Sequence, residues 1–275
     1  MRFTKMHGLG NDFVVIDGIR QDVTVDAELA RRLAHRRYGV GCDQVLVAEP
    51  ATLADMDVRY RVFNSDGGEV EHCGNGVRCL AVFLREQGLV SSPLLRVETR
   101  GEPATVCLQE DGLVSVDMGP PQLDPSGIPF SAPARELVYP LTVDGRELRI
   151  AAVSMGNPHA VLQVPDADQA PVGSLGPLIE GHPAFPQRAN AGFMQVLDRG
   201  HIRLRVYERG AGETLACGTG ACAAAVAGRL QGLLDEDVNV DLPGGRLRIR
   251  WQGEGKPVWM TGPATTVFHG DWPGP

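Results

Sequence analysis

Lysine is almost missing from this 275-residue chain. Only Lys5 and Lys256 occur, so nearly all of the 26 basic residues are arginine. Lys5 lies near the N-terminus and Lys256 in a Gly-Glu-Gly-Lys-Pro turn, and neither placement suits the internal aldimine of a pyridoxal-phosphate enzyme. Positive charge is scarce as well: 26 basic residues face 34 acidic ones, for a net charge of −8. The broad cationic surface of a nucleic-acid binder is therefore not expected. No apolar run approaches the ~18 residues of a membrane span. Residues 1–8 lack the apolar core of a signal peptide. No two of the six cysteines form a C-x-x-C pair, which removes the usual zinc and dithiol signatures. A reduced, cytoplasmic protein with no membrane or nucleic-acid partner is the simplest expectation.

What is present is a repeat. The length alone suggests about two domains, and two segments align 144 residues apart. Val58-Arg59-Tyr60-Arg61-Val62-Phe63-Asn64 is matched by Ile202-Arg203-Leu204-Arg205-Val206-Tyr207-Glu208. Each is followed by a Gly-Glu turn and then by Cys-Gly-x-Gly, at Cys73-Gly74-Asn75-Gly76 and Cys217-Gly218-Thr219-Gly220. A fainter match pairs Gly10-Asn11 with Gly156-Asn157 and sets Gln44 opposite Asn190. The chain reads as two homologous halves.

Alternating apolar residues (Val58, Tyr60, Val62; Ile202, Leu204, Val206) predict a half-buried strand before each turn. Helices are predicted over about 75–87 and 219–231, ending at Gly88 and Gly232. The second is Ala-rich and reads as buried on most sides. Strand-like runs follow at 94–99, 113–118, 148–153, 238–242, 247–251 and 258–261. The expected class is α+β, with a mostly antiparallel sheet or barrel wrapped around a central helix, twice over. The first half covers 1–118 and the second 119–262, with 263–275 returning to the first. The six prolines between 119 and 140 read as the linker or crossing connection.

A cysteine just before Gly-x-Gly at a helix start sits among unpaired N–H groups at the positive end of the helix dipole. That setting favours thiolate, and the same N–H groups can hold a carboxylate, the glycines admitting close approach. Two such turns from pseudo-symmetric halves could flank one ligand. Stereoinversion by proton transfer needs a base on one face of a Cα and an acid on the other, which one thiolate and one thiol supply. Neither a metal nor an organic cofactor is called for.

The run His72-Cys73-Gly74-Asn75-Gly76-Val77-Arg78-Cys79 and the run Ala216-Cys217-Gly218-Thr219-Gly220-Ala221-Cys222 resemble the two signatures of the diaminopimelate epimerase family. Lys5-Met6-His7-Gly8-Leu9-Gly10-Asn11-Asp12-Phe13 and Gly156-Asn157-Pro158-His159 are similar to it too, so the likeness runs from about residue 3 to 265. The resemblance implies a cofactor-independent isomerase that interconverts LL- and meso-diaminopimelate, on the way to lysine and peptidoglycan, and a homodimer. It implies Cys73 and Cys217 as the acid/base pair, with His159 and Glu208 setting their protonation. It implies that Gly74-Asn75 and Gly218-Thr219 hold the reacting carboxylate. Asn11, Gln44, Asn64, Asn157, Asn190, Glu208 and Arg209 match substrate-recognising positions. Arg209 with Asn64, Asn157 and Asn190 would hold the distal carboxylate, and Glu208 the distal ammonium.

Plainer readings stand beside these. Free cysteine is usually a small buried hydrophobe, which is the expectation for Cys42, Cys79, Cys107 and Cys222. His159 could be a satisfied structural histidine in a turn; His72, His182, His201 and His269 are read as structural or exposed. Arg31-Arg32 with Arg36-Arg37 reads as the solvated face of a helix. A proline-type racemase of the same duplicated fold is the alternative enzyme, and an amino-acid-binding module the alternative of another class.

Overall fold

The apolar runs at 13–16 and 45–48 are buried at every position, although a half-exposed strand would alternate. Such runs require cover on both faces of the sheet, and the chain supplies it from two directions. A computed structural model describes residues 1–70 and 73–274; Glu71, His72 and Pro275 lie outside the described residues. The chain divides into two compact units, residues 1–117 with 261–275, and residues 118–260.

In the first unit β1 (Arg2–Gly8) pairs antiparallel with β2 (Asn11–Asp17), and after helix α1 (Ala27–Ala34) strand β3 (Gln44–Glu49) lies parallel to β2. β4 (Val58–Asn64) is antiparallel to β3 and to the short β5 (Glu69–Val70). Helix α2 (Gly74–Glu86) then leads to β6 (Leu94–Glu98), parallel to β4, and to the antiparallel β7 (Ala104–Leu108) and β8 (Val114–Asp117).

The second unit repeats this order. β9 (Tyr139–Val143), β10 (Arg146–Ser154) and β11 (Pro158–Gln163) form an antiparallel run. Helix α3 (Val172–Glu180) precedes β12 (Asn190–Asp198), which is parallel to β11 and antiparallel to β13 (His201–Glu208). The short β14 (Gly212–Glu213) pairs with β13, and helix α4 (Gly218–Leu230) leads to β15 (Asp237–Leu242), parallel to β13. β16 (Gly245–Trp251) and β17 (Val258–Gly262) follow, β16 antiparallel to β15. Finally β18 (Thr265–Asp271) adds antiparallel to β1, as β9 adds to β10.

Within each unit one helix is enclosed and the other lies outside. α2 touches β1, β2, β3, β4, β7, β8 and β18; α4 touches β10, β11, β12, β13, β15 and β16. Every residue of α4 from Gly220 to Gly228 is buried, which its small side chains permit. α1 packs on β3 and β4 over a separate core of Val14, Ile16, Leu33, Val45, Val47 and Phe63, and α3 does the same in the second unit. Both enclosed helices end alike. Gly88 and Gly232 take left-handed φ of 64° and 73°, and the next residue donates back to Leu84 and Gly228 respectively, both at 2.9 Å. This is the paired hydrogen-bond closure that a glycine makes inexpensive. Among the described residues no helix is long and apolar enough to cross a membrane.

Two expectations need correction. The proline-rich 119–140 stretch is part of the second unit's core. Gln122 exchanges both backbone hydrogen bonds with Ser154, Ile128 is fully buried, and Phe130 stacks on Phe185. The four arginines do not share a helix face: α1 stops at Ala34 with His35 as its cap, and Arg36 turns back to bind Asp12 and Asp43. Of the histidines read as structural, His182 meets the Thr142 carbonyl, His201 pairs with Asp241, and His269 meets Thr4.

Candidate active site

Cys73 and Cys217 are the N-caps of α2 and α4, both in extended backbone conformation, and the two helices are each 13 residues long. The Gly76 N–H donates to Cys73 Sγ at 3.4 Å, so one of the helix's unpaired donors already ends on sulfur. Cys217 Sγ lies 3.6 Å from the Thr219 hydroxyl. The second glycine of each motif also answers to the sheet beneath it. A β-carbon on Gly76 would come within 2.2 Å of the Tyr60 hydroxyl, and one on Gly220 within 3.0 Å of Val206 Cγ2.

In the first unit, strand register sets Phe13, Gln44 and Asn64 side by side across β2, β3 and β4. Gln44 Nε2 donates to Asn64 Oδ1 at 2.8 Å. Asn11, at the start of β2, offers its Oδ1 to Cys73 Sγ at 3.9 Å and to Asn75 Nδ2 at 3.3 Å. Asn75 is buried, and the fully buried Arg78 donates to its Oδ1 at 3.0 Å. Below Asn11 lies a charged group: Arg36 binds Asp12 and Asp43, and Lys5 binds Asp12. Burial alone would raise the Asp12 carboxyl, but hydrogen bonds from Arg36 and Lys5 outweigh it and hold it well below the ordinary carboxylate range.

In the second unit the same register pairs His159 with Asn190 across β11 and β12, with Asn157 two residues before His159. His159 Nε2 lies 3.1 Å from Asn157 Oδ1 and 3.3 Å from Asn190 Nδ2, while Asn190 Oδ1 accepts the Arg209 backbone N–H at 2.7 Å. The Arg209 guanidinium donates to the Gln187 carbonyl. Burial, with the Arg209 charge added, pushes His159 down to about 3, so its imidazole is neutral. Its Nδ1 is buried without a hydrogen-bond partner among the described residues. Glu208 accepts from the Thr214 hydroxyl. Burial first, then the charge and hydrogen bonding of Glu208, hold the Cys217 thiol well above its ordinary pKa, against the opposing pull of Thr219 and Gly220.

Two hydrogen-bonded groups thus gather the sequence candidates: Asn11, Cys73 and Asn75 with the Gln44–Asn64 pair nearby in one unit, and Asn157, His159, Asn190 and Arg209 beside the Glu208–Cys217–Thr219 set in the other. Sequence reasoning passed over Asp43, Arg78, Thr214 and Tyr60. Asp43 stands next to Gln44, but nothing in the linear pattern tells it from any turn aspartate. Cys42 and Cys79 are buried thiols that desolvation pushes up to about 12, in keeping with core residues.

A family model described as diaminopimelate epimerase matches residues 3–123 and 151–267. Proteins named diaminopimelate epimerase from Alkalilimnicola ehrlichii and Thioalkalivibrio sulfidiphilus are 63% and 62% identical, each over 98% of both chains. A phenazine biosynthesis protein of the PhzF family from Bacillus anthracis is similar in fold, with a TM-score of 0.70 at 19% identity over 98% of this chain and 97% of that one. So is a hydroxyproline epimerase from Agrobacterium vitis, with a TM-score of 0.70 at 17% identity over 98% and 91%. Those two likenesses bear on the fold alone. With the family model spanning both halves and relatives above 60% identity over nearly the full length, the chain belongs to the diaminopimelate epimerase family.

Proposed function

We propose that this protein is a cofactor-independent isomerase that interconverts LL- and meso-diaminopimelate in lysine and peptidoglycan biosynthesis, acting in the cytoplasm as a homodimer. The observation that carries the reading is the duplicated cysteine cap: two 13-residue helices, one in each unit, both begin directly after a cysteine. Relatives that share about 60% of the residues carry the epimerase name, whereas the resemblance to proline-type enzymes is one of fold at under 20% identity.

In this reading Cys73 and Cys217 serve opposite faces of the substrate Cα. A thiolate takes the α-proton, the electron pair delocalises into the adjacent carboxylate, and the other thiol returns a proton to the far face. Burial and Glu208 favour the thiol form of Cys217, which suits it to the acid role when Cys73 acts as the base. Backbone N–H groups at Gly74-Asn75 and Gly218-Thr219 stabilise the charge that develops on the carboxylate. Asn64, Asn157, Asn190 and Arg209 take the distal carboxylate, Glu208 the distal ammonium, and Asn11 and Gln44 complete the recognition. Neutral His159 stands at the site with its Nδ1 unpartnered among the described residues.

The test is isotope exchange. Incubated with LL-diaminopimelate in deuterated water, the protein should place deuterium at Cα as the meso isomer forms. Cys73→Ser and Cys217→Ser should each abolish epimerisation, and wild-type turnover in either would refute the two-thiol mechanism. Sedimentation should give the mass of two chains.

A further inference from the structure

The Asn11 side chain faces Cys73 with its oxygen, and the reason lies outside the residues assigned above. An amide presents an acceptor on one side and donors on the other, and which way it faces follows from its neighbours. Asn11 Nδ2 donates to Asp43 Oδ2 at 2.9 Å, and its Oδ1 accepts from Asn75 Nδ2 at 3.3 Å. Asn75 is itself oriented, because Arg78 donates to its Oδ1 at 3.0 Å. The donors run in one direction, from the Arg78 guanidinium through two amides to the Asp43 carboxylate. Turning Asn11 over would set its oxygen against Asp43 and its NH2 against the NH2 of Asn75. Asp43 is fixed in turn: Arg36 binds its Oδ1 at 2.6 Å, its backbone N–H donates to Asp12 Oδ1 at 3.0 Å, and the Asp12 N–H returns to its Oδ2 at 3.1 Å.

We propose that Asp43 is a positioning residue for the epimerase reaction: by holding the Asn11 amide NH2, it keeps the Asn11 oxygen turned toward Cys73 and makes that position an acceptor for a donor on the substrate. This rests on the epimerase reading. Of the groups bonded to the reacting Cα, the carboxylate only accepts, so the donor that matches Asn11 Oδ1 is the α-ammonium. Asp43 does not touch substrate; it acts through Asn11.

The experiment is a reciprocal exchange on the full-length enzyme. Asp43→Asn leaves Asn11 free to present either side of its amide, and Asn11→Asp opposes two carboxylates. Each single variant should lose about tenfold to a hundredfold in kcat/KM, the range expected for a hydrogen bond to a charged group. The double variant Asn11→Asp with Asp43→Asn restores one donor facing one acceptor and keeps oxygen toward Cys73. It should be at least about fivefold more active than the product of the single losses predicts, each variant being compared at its own pH optimum, which is the coupling that a double-mutant cycle reads. Asp43→Glu, which keeps the carboxylate, should retain more activity than Asp43→Asn.

Thermal melts of each variant separate loss of function from loss of fold; Asp43 is 44% exposed, so its replacement leaves no core void. If Asp43→Asn fails to fold, the comparison of Asn11→Asp with the double variant decides. A double variant no better than the product of the singles, or Asp43→Asn at wild-type kcat/KM, would overturn the proposal. A wild-type protein that exchanges no Cα proton would refute the epimerase reading instead.

Discussion

The Tyr60 hydroxyl occupies the space that a β-carbon on Gly76 would need, 2.2 Å from its ideal position. Tyr60 is buried, and its hydroxyl has no hydrogen-bond partner among the described residues. Gly76→Ala should therefore destabilise the protein by about 3 kcal/mol through overpacking. Tyr60→Phe removes an unsatisfied buried polar group and should be close to neutral. Combined, the two should recover much of the loss, which urea denaturation at constant m-value would show. Strict additivity would mean that the tyrosine ring, and not its hydroxyl, fills the space.

Glu208 should govern the reactivity of Cys217. Burial and the Glu208 carboxylate both favour its protonated thiol, and only the second can be removed by one substitution. Glu208→Gln should lower the thiol pKa and raise the rate of Cys217 alkylation by iodoacetamide at pH 8. Peptide mass spectrometry distinguishes Cys217 from the other five cysteines. An unchanged rate would show that burial alone holds the thiol.

His159 should make stability depend on pH. Its folded pKa, about 3, lies below the unfolded value near 6.5. Above pH 6.5 neither state binds the proton and the group is neutral to stability. As pH falls below 6.5 the unfolded state takes up a proton that the folded state refuses, so stability is lost at up to about 1.4 kcal/mol per pH unit down to about pH 3. His159→Gln should remove this component between pH 6.5 and 5, before most carboxylates titrate. Parallel stability curves for variant and wild type would contradict the assignment.

The two helix ends should respond alike. Gly88→Ala and Gly232→Ala each place a β-carbon at a left-handed residue with open space around it. Each should cost about 1 kcal/mol, from the backbone conformation alone, and the effects should add. A much larger cost at one end would reveal a contact formed by that glycine in particular.

The helices were legible because their signals are local. Gly88 and Gly232 stop them, apolar spacing sets their faces, and both ranges lie within one residue of expectation. The repeat was legible because corresponding strands keep their register: Gln44 and Asn190 each follow a parallel step, beside Phe13 and His159 respectively. The first half of β12 was not, since Asn-Ala-Gly carries no alternation and is buried at every position. The proline-rich stretch does connect β8 to β9, as one of its two readings had it, but proline marks turns without saying whether they pack inside, and Ile128 and Phe130 do.

The order of residues by itself determined the duplication, the two cysteine caps and the family, all of which depend on residue type and spacing along one chain. Only the tertiary structure decided what surrounds each sulfur. Cys73 meets an Asn11 oxygen whose direction descends from Asp43 and Arg78, whereas Cys217 meets Glu208. Those neighbours come from distant strands and helices, and the strength of each contact follows from burial and hydrogen-bond direction. Two motifs alike in sequence therefore hold thiols in unlike surroundings.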